Sequence, residues 1–472
     1  MVPFVTRVCR LIGAALLLGA CASGPVRPDT TLRVWDLGAR SADATGRFQS
    51  LLVSGSGTDW TRVVSCRPDG ACTYFGTTRG SYGPTTDFLA MGEVPDQRFQ
   101  WARTYGGADT DELDGAVSLG DGGHLLFGLS SSRFGGGGPS VGAAAPRPFL
   151  VRIEAAGAPL WARTIDTGGL ERLHGAAAVG ADAVLVGYAG RDGQPSVAAT
   201  RIAGDGTLRW AHAYDLGGPG YAVAAAPDRE GGVVVAGYLR ANAATFGGTP
   251  FLLALDAAGR PRWARRYEAG TPVQPRALVA MADGTFALAG SVFGSRPPRS
   301  PFLLRLDERG AVRLTRELRG LDPIEVFSAA DAGDGRVVLA GRRRDSFSDR
   351  HWGYVFVVDA AGRVVAHATQ RAQDTVEFAS VSTARAAEYR VTGSTNSLGA
   401  AGGLDIFVGG WYPATAGPAD VVATRLAERE LPVTVTDVSA RMQALPVTAT
   451  PVPPEFLEVR TLEVPTAATT KK

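Results

Sequence analysis

A serine framed as Gly138-Pro-Ser140-Val-Gly142 has the spacing of a nucleophile for acyl transfer. That chemistry needs a sharp strand-to-helix turn to expose the hydroxyl, with a histidine and an acid close by. Here the serine stands in a stretch that begins Gly135-Gly-Gly-Gly138, with no helical period after it, and reads as a flexible loop. Asp109-Thr-Asp111-Glu-Leu-Asp114-Gly115 begins like a calcium loop, since hard cations want several clustered oxygens. It lacks an oxygen ligand at its fifth position and a glutamate at its twelfth, so an acidic surface turn is expected. His124, His174, His212, His351 and His367 show no metal-ligand spacing. No catalytic motif, metal site or cofactor is expected.

Arginine gives a better lead, because guanidinium pairs bidentately with carboxylate and phosphate. Lys471 and Lys472 are the only lysines, so the positive charge elsewhere is carried by arginine. Arg296 and Arg299 share one loop, and Arg342, Arg343, Arg344 and Arg350 stand in the next loop of the same kind. Arg62, His174, Tyr221 and Arg276 stand ahead of recurring first strands and are candidates to line a channel mouth. These ten are the candidate binding residues. The functional expectation is a sector for an anion or acidic partner; the alternative is solvated charge on loops that must be polar anyway. A formal net charge of +2 gives no global pull toward nucleic acid or an anionic membrane.

The elements that must position these residues repeat seven times. Each copy runs from a polar entry through a short apolar strand and a tight turn to a small-residue strand ending in glycine. The terminal glycines are Gly76, Gly128, Gly187, Gly237, Gly290, Gly341 and Gly393, 50 to 59 residues apart. A second hairpin follows, clearest in Phe149-Leu-Val-Arg-Ile-Glu-Ala-Ala-Gly-Ala-Pro-Leu-Trp161-Ala-Arg and Phe251-Leu-Leu-Ala-Leu-Asp-Ala-Ala-Gly-Arg-Pro-Arg-Trp263-Ala-Arg. Two hairpins per repeat make a four-stranded blade, and fixed-period repetition of such blades predicts an all-β, seven-bladed β-propeller. Seven third strands begin near Phe88, Phe149, Val197, Phe251, Phe302, Tyr354 and Phe407, but only six outer strands follow them. Phe48 to Val53 is expected to supply the seventh and close the last blade, which removes an exposed edge.

With Trp101-Ala-Arg-Thr-Tyr-Gly-Gly107, these stretches resemble the bacterial seven-bladed propeller repeat over roughly residues 46 to 411. The resemblance implies the fold and is nearly silent on function. In such a propeller the long loops after the glycine-ended strands and those before the first strands share one face, around the central channel. Variable loops on a rigid scaffold are where binding usually resides.

Arg7 and Arg10 precede an apolar stretch, Leu11 to Ala20, too short to span a bilayer comfortably. Leu18-Gly19-Ala20-Cys21 resembles the lipobox of bacterial lipoproteins. That resemblance implies a signal peptide over residues 1–20, cleavage before Cys21 and a lipid on Cys21. Ala22 after the cysteine implies sorting to the outer membrane, and a plain secretory signal cleaved near Ala22 is the alternative. Residues 21–45 then form a tether, with Leu32-Arg-Val-Trp35 hinting at one docked strand. Cys66 and Cys72 flank Arg67-Pro68-Asp69-Gly70-Ala71, which suits a three-residue hairpin loop with Gly70 in the left-handed region. That register sets the two cysteines opposite each other, within disulfide range, and an exported protein permits the bond. Residues 412–472, rich in Pro, Thr and Ala, are expected to be a largely disordered tail. Within it, Asp420 to Leu431 suits a short helix and Val433 to Val438 a strand.

The expectation for function is an envelope-anchored, monomeric lipoprotein whose propeller is a non-catalytic binding or scaffolding module for a protein or glycan partner. Two alternatives remain. One is a propeller hydrolase, lyase or quinone-type oxidoreductase with dispersed channel residues, in which Asp114, His174 and the mouth residues come within hydrogen-bond reach. The other is a purely structural envelope component.

Overall fold

The hairpin over Pro68-Asp69-Gly70 shows how the chain turns. Arg67 N–H donates to the Ala71 carbonyl at 2.8 Å, and Gly70 N–H donates back to the Arg67 carbonyl at 2.9 Å. Gly70 has φ +89°, the left-handed value the turn requires. Cys66 therefore stands opposite Cys72, and the two form a disulfide across a Cα separation of 4.0 Å. The turns of the second hairpins use aspartate as well as glycine. In one, Asp256 Oδ1 accepts from Ala258 N–H at 2.9 Å and Arg260 N–H at 2.8 Å, an Asx-type cap that fixes the loop.

A computed structural model shows these hairpins assembled into a seven-bladed β-propeller of antiparallel blades. It describes the strands and tight turns between residues 33 and 470. Residues 1–32 and 471–472, several loops (among them 80–84, 133–144, 191–193, 241–246, 295–298 and 397–402) and most links of the C-terminal segment lie outside the described residues. Ser140 is among those outside. Blades one to six span residues 58–106, 111–166, 170–215, 220–268, 273–319 and 324–370. Blade seven joins Val376–Arg385, Glu388–Thr395 and Asp405–Tyr412 to the N-terminal strand Arg47–Ser54, as the strand count requires.

Apolar side chains fill the spaces between neighbouring blades. The signature residues of the outer strands explain the fit. Tyr105, Tyr214 and Tyr267 each donate a hydroxyl to the carbonyl of a turn glycine in the next blade: Gly157 at 2.6 Å, Gly259 at 2.8 Å and Gly310 at 2.8 Å. Trp161 and Trp210 reach corresponding turns of the next blade through Nε1, to the Gly204 carbonyl at 2.8 Å and the Ala257 carbonyl at 3.0 Å. Buried Tyr and Trp need such partners for their polar atoms. The outer strands of blades one to four thus grip the following blade.

Ring closure adds charge to this grip. Phe48 is 3% exposed and packs with Phe378, Phe407 and Trp411. Between blades seven and one, Arg390 and Glu93, each with a side chain 1% exposed, pair at 3.4 Å, and the Tyr74 hydroxyl donates to Glu93. Arg385 of blade seven donates to the Asp69 carbonyl of the disulfide hairpin at 2.5 Å.

The C-terminal segment departs from expectation. Among its described residues, Ala427–Arg429, Thr434–Asp437, Arg441–Ala444, Thr448–Pro451 and Glu458–Leu462 are strands. They pair antiparallel with the outer strands of blades five, four, three, two and one in turn. Ala427–Arg429 also stands as strand where a helix was expected, while the strand near Val433 is present. N-terminal residues cover the remaining edges. Ala42–Ala44 pairs with blade six, and Arg33–Asp36 pairs with the closing strand of blade seven, with Thr469–Thr470 parallel beside it. Each blade so gains a fifth strand from a belt that runs against the order of the blades. A strand this short has no period of its own to read; the blade edge supplies its hydrogen-bond partners, and an edge strand tolerates Pro451.

Candidate functional site

The innermost strand of every blade carries a β-bulge where its partner strand reaches the landmark glycine. The bulged residues are Arg62, Asp114, His174, Val223, Arg276, Phe327 and Ala379. A bulge bends the strand and re-aims a side chain. It also pushes a carbonyl into the space beside the glycine: Trp60, Glu112, Arg172, Tyr221, Gln274, Glu325 and Glu377 each supply that oxygen. A Cβ on any of the seven glycines would collide with it, so the repeat's most visible residue is there to make room for the bulge. Replacing Gly341 or Gly237 with alanine is therefore expected to cost about 1–3 kcal/mol of stability by overpacking against backbone, measured by denaturant unfolding. Wild-type stability in both variants would refute that explanation.

Side chains from these inner strands meet around the channel mouth. Arg62 pairs with Glu112 at 2.9 Å, and Arg172 with Asp114 at 2.5 Å, so blades one to three are linked by ion pairs. Burial raises the Asp114 pKa, against the lowering effect of Arg172. His174 stacks on Tyr188 with ring centroids 5.7 Å apart. Burial, helped by the charges of Arg172, Arg276 and Arg62, pushes the His174 pKa down to about 4, which leaves the ring neutral at ordinary pH. Asp114 accepts its hydrogen bonds from Arg172, and the ring contact of His174 is with Tyr188.

The ring ladder continues from Tyr188 to Tyr221 at 5.1 Å, edge-on, and from Tyr221 to Tyr238 at 5.4 Å, stacked. The Arg240 guanidinium lies 4.8 Å above Tyr221 and 5.7 Å from Tyr238. Arg276 stands in the next blade. Solvent reaches it through the channel, yet protein surrounds it, and this burial lowers its pKa. Its contacts are a hydrogen bond to Gln274 Oε1 at 3.2 Å and the face of Phe327 at 5.9 Å.

Blades five to seven hold the expected arginine sector, already furnished with carboxylates. Arg299 pairs with Glu325. Arg342 bridges Glu325 at 2.9 Å and Glu377 at 2.5 Å, and Arg343 meets Asp322 at 2.5 Å. Burial would raise the Glu325 pKa, but Arg342 and Arg299 overcome it and hold the carboxyl below its usual value. Arg342, Arg343 and Arg344 end the strand Arg336–Arg344 and Arg299 begins Arg299–Leu306, not loops as expected, because the blade hairpins extend into these stretches; Arg350 is exposed, and Arg296 lies outside the described residues.

The four mouth candidates thus come together, whereas Arg299, Arg342 and Arg343 of the arginine sector are taken up by internal ion pairs. Sequence reasoning passed over Tyr188, Tyr238 and Arg172. A signal was available: Tyr188 and Tyr238 directly follow the landmark glycines Gly187 and Gly237. The expected acidic surface turn is instead the start of the inner strand Asp111–Ser118, where buried Asp111 accepts from Gly107 N–H at 2.7 Å and Ser132 Oγ at 3.0 Å. No cluster of three or more metal-type ligands occurs among the described residues. A cavity of about 120 Å³ near the disulfide hairpin is lined by Arg67, Trp101 and His124. Its histidine is held by Ser118 at 2.8 Å and Thr73 at 3.3 Å, which marks a satisfied core residue.

Fold and mouth together define a belted seven-bladed propeller with a charged, ring-lined channel. The chain is similar to Sqt1 from Chaetomium thermophilum, at a TM-score of 0.40 and 10% identity over 79% of this chain and 88% of that one. It is also similar to a subtype N11 neuraminidase-like protein (A/flat-faced bat/Peru), at 0.36 and 11% over 73% and 97%. No family model and no curated protein matches the chain.

Proposed function

We propose that this chain is a non-catalytic binding module of the bacterial envelope, anchored by a lipid on Cys21, whose channel mouth receives a protein or glycan partner. The observation that carries this reading is the mouth itself, where rigid inner strands aim guanidinium groups and aromatic rings into one opening. Acid–base catalysis would want the base oriented by an acid, and the Asp114 carboxylate is taken up by Arg172 instead. Topology supports the anchor's placement. Arg33 pairs with Ser54, which leads within a few residues to Thr58 at the mouth end of blade one. A chain arriving from Cys21 would thus join the propeller on the same face as the mouth.

Mass spectrometry of the mature N-terminus and fractionation of envelopes test the anchor. The wild-type protein is expected in the outer-membrane fraction with a lipidated Cys21, and Cys21→Ser is expected to accumulate as unprocessed precursor. A mature N-terminus without lipid overturns the anchor. Cross-linking in intact envelopes tests the mouth: Arg276→Gln with Tyr221→Ala should remove a partner that the wild type captures, and unchanged capture would refute it.

A further inference from the structure

Charge around the mouth is unevenly compensated. Arg62, Arg172, Arg299, Arg342 and Arg343 each have a carboxylate partner. Among the described residues, Arg240 and Arg276 have none: Arg240 rests on the rings of Tyr221 and Tyr238, and Arg276 on Gln274 and Phe327. Arg276 is open to solvent and feels Glu325 only at longer range, so its guanidinium is free to take a carboxylate in a bidentate pair. Arg240 caps the ladder of rings, and Arg276 lies near enough to its Tyr238 end to interact with it electrostatically. Tyr188 and Tyr221 are half-buried, and among the described residues neither phenol has a hydrogen-bond partner. One sector thus offers half-buried aromatic rings set in a stacked ladder, two hydroxyls with no hydrogen-bond partner among the described residues, and two cations with no ion pair there.

We propose that blades three to five form a subsite for an acidic sugar, with Tyr188 and Tyr221 against its ring and hydroxyls and Arg276, backed by Arg240, on its carboxylate. A simple anion would use the cations and leave the rings idle; a neutral sugar would do the reverse. Only a ring that carries hydroxyls and a carboxylate uses all of them. Binding is non-covalent, and the ligand is released unchanged. This inference rests on the mouth being a binding face and specifies what that face selects.

Calorimetric titration of the full-length protein in detergent tests it, with four probes: a glucuronate-terminated disaccharide, its neutral glucose counterpart, acetate and a triglutamate peptide. The uronate is expected to bind about tenfold or more tightly than the neutral sugar, the scale of one charge-assisted hydrogen bond. Arg276→Gln should erase that difference while leaving the neutral sugar's affinity unchanged. Tyr221→Ala should weaken both sugars, and Tyr221→Phe should restore ring stacking but not full affinity. Melting temperatures near wild type show that the variants are folded. Acetate or triglutamate binding as tightly as the uronate overturns the proposal in favour of a bare anion or peptide site. No binding of either sugar, or indifference to Arg276→Gln, overturns it too. If the sugar arms fail while envelope cross-linking still depends on Arg276 and Tyr221, the acidic-sugar subsite falls and the binding face stands.

Discussion

A variant lacking residues 46–54 is expected to yield no stable soluble monomer. Phe48, Leu52 and Val53 are nearly or fully buried, and burial of such side chains is worth about 1.5–3 kcal/mol each. Losing three of them approaches the whole margin of a domain that is stable by about 5–15 kcal/mol. The deletion also strips Asp405–Tyr412 of its outer partner and opens the sheet at the seam of the ring. The seam's other holdfast, the buried pair of Arg390 with Glu93, would then meet water. Light scattering and thermal melting after expression give the readout. A variant that stays monodisperse and melts like the wild type would show that the ring closes by other means.

Removal of residues 420–472 should be less severe, but clearly measurable. It unpairs the outer strands of blades one to five at once, leaving five edges that can template pairing between molecules. Among described side chains, the belt adds Val452, 6% exposed, to one inter-blade cluster and Leu462 to another. The expected product is a folded propeller with a lowered melting temperature, whose self-association grows with protein concentration. Its circular dichroism in dilute solution should still report a β-protein. Equal damage from the two deletions, or no concentration dependence in the belt-less protein, would refute the distinct roles of closing strand and belt.

The fold was legible because its signals are local and repeated. Each Asp/Gly turn sets its own hairpin, and a two-residue slip in any blade would break a period that six others repeat. The closing strand could be inferred from arithmetic alone, one outer strand short at the C-terminal end. The cysteine pair was readable for the same reason, because Pro68-Asp69-Gly70 fixes the register across only six positions of chain.

The belt was opaque for the opposite reason. Its strands begin at Ala427, Thr434, Arg441 and Thr448, seven residues apart. Leu431-Pro-Val-Thr434 and Leu445-Pro-Val-Thr448 echo that spacing in the sequence. Yet three or four residues bury too little to show a pattern, and their order comes from edges built by residues hundreds of positions earlier.

By itself, then, the sequence determined the blade, the blade number, the seam and the disulfide, all products of neighbouring residues and counting. Tertiary structure alone decided which charges are spent. Arg342 and Arg276 look alike along the chain, but Glu325 on the adjacent strand and Glu377 across the blade boundary reach the first, and no carboxylate of the described residues forms an ion pair with the second. The reason is the bulge: it turns one residue per inner strand toward a shared axis. What that residue meets depends on blades 50 residues or more away.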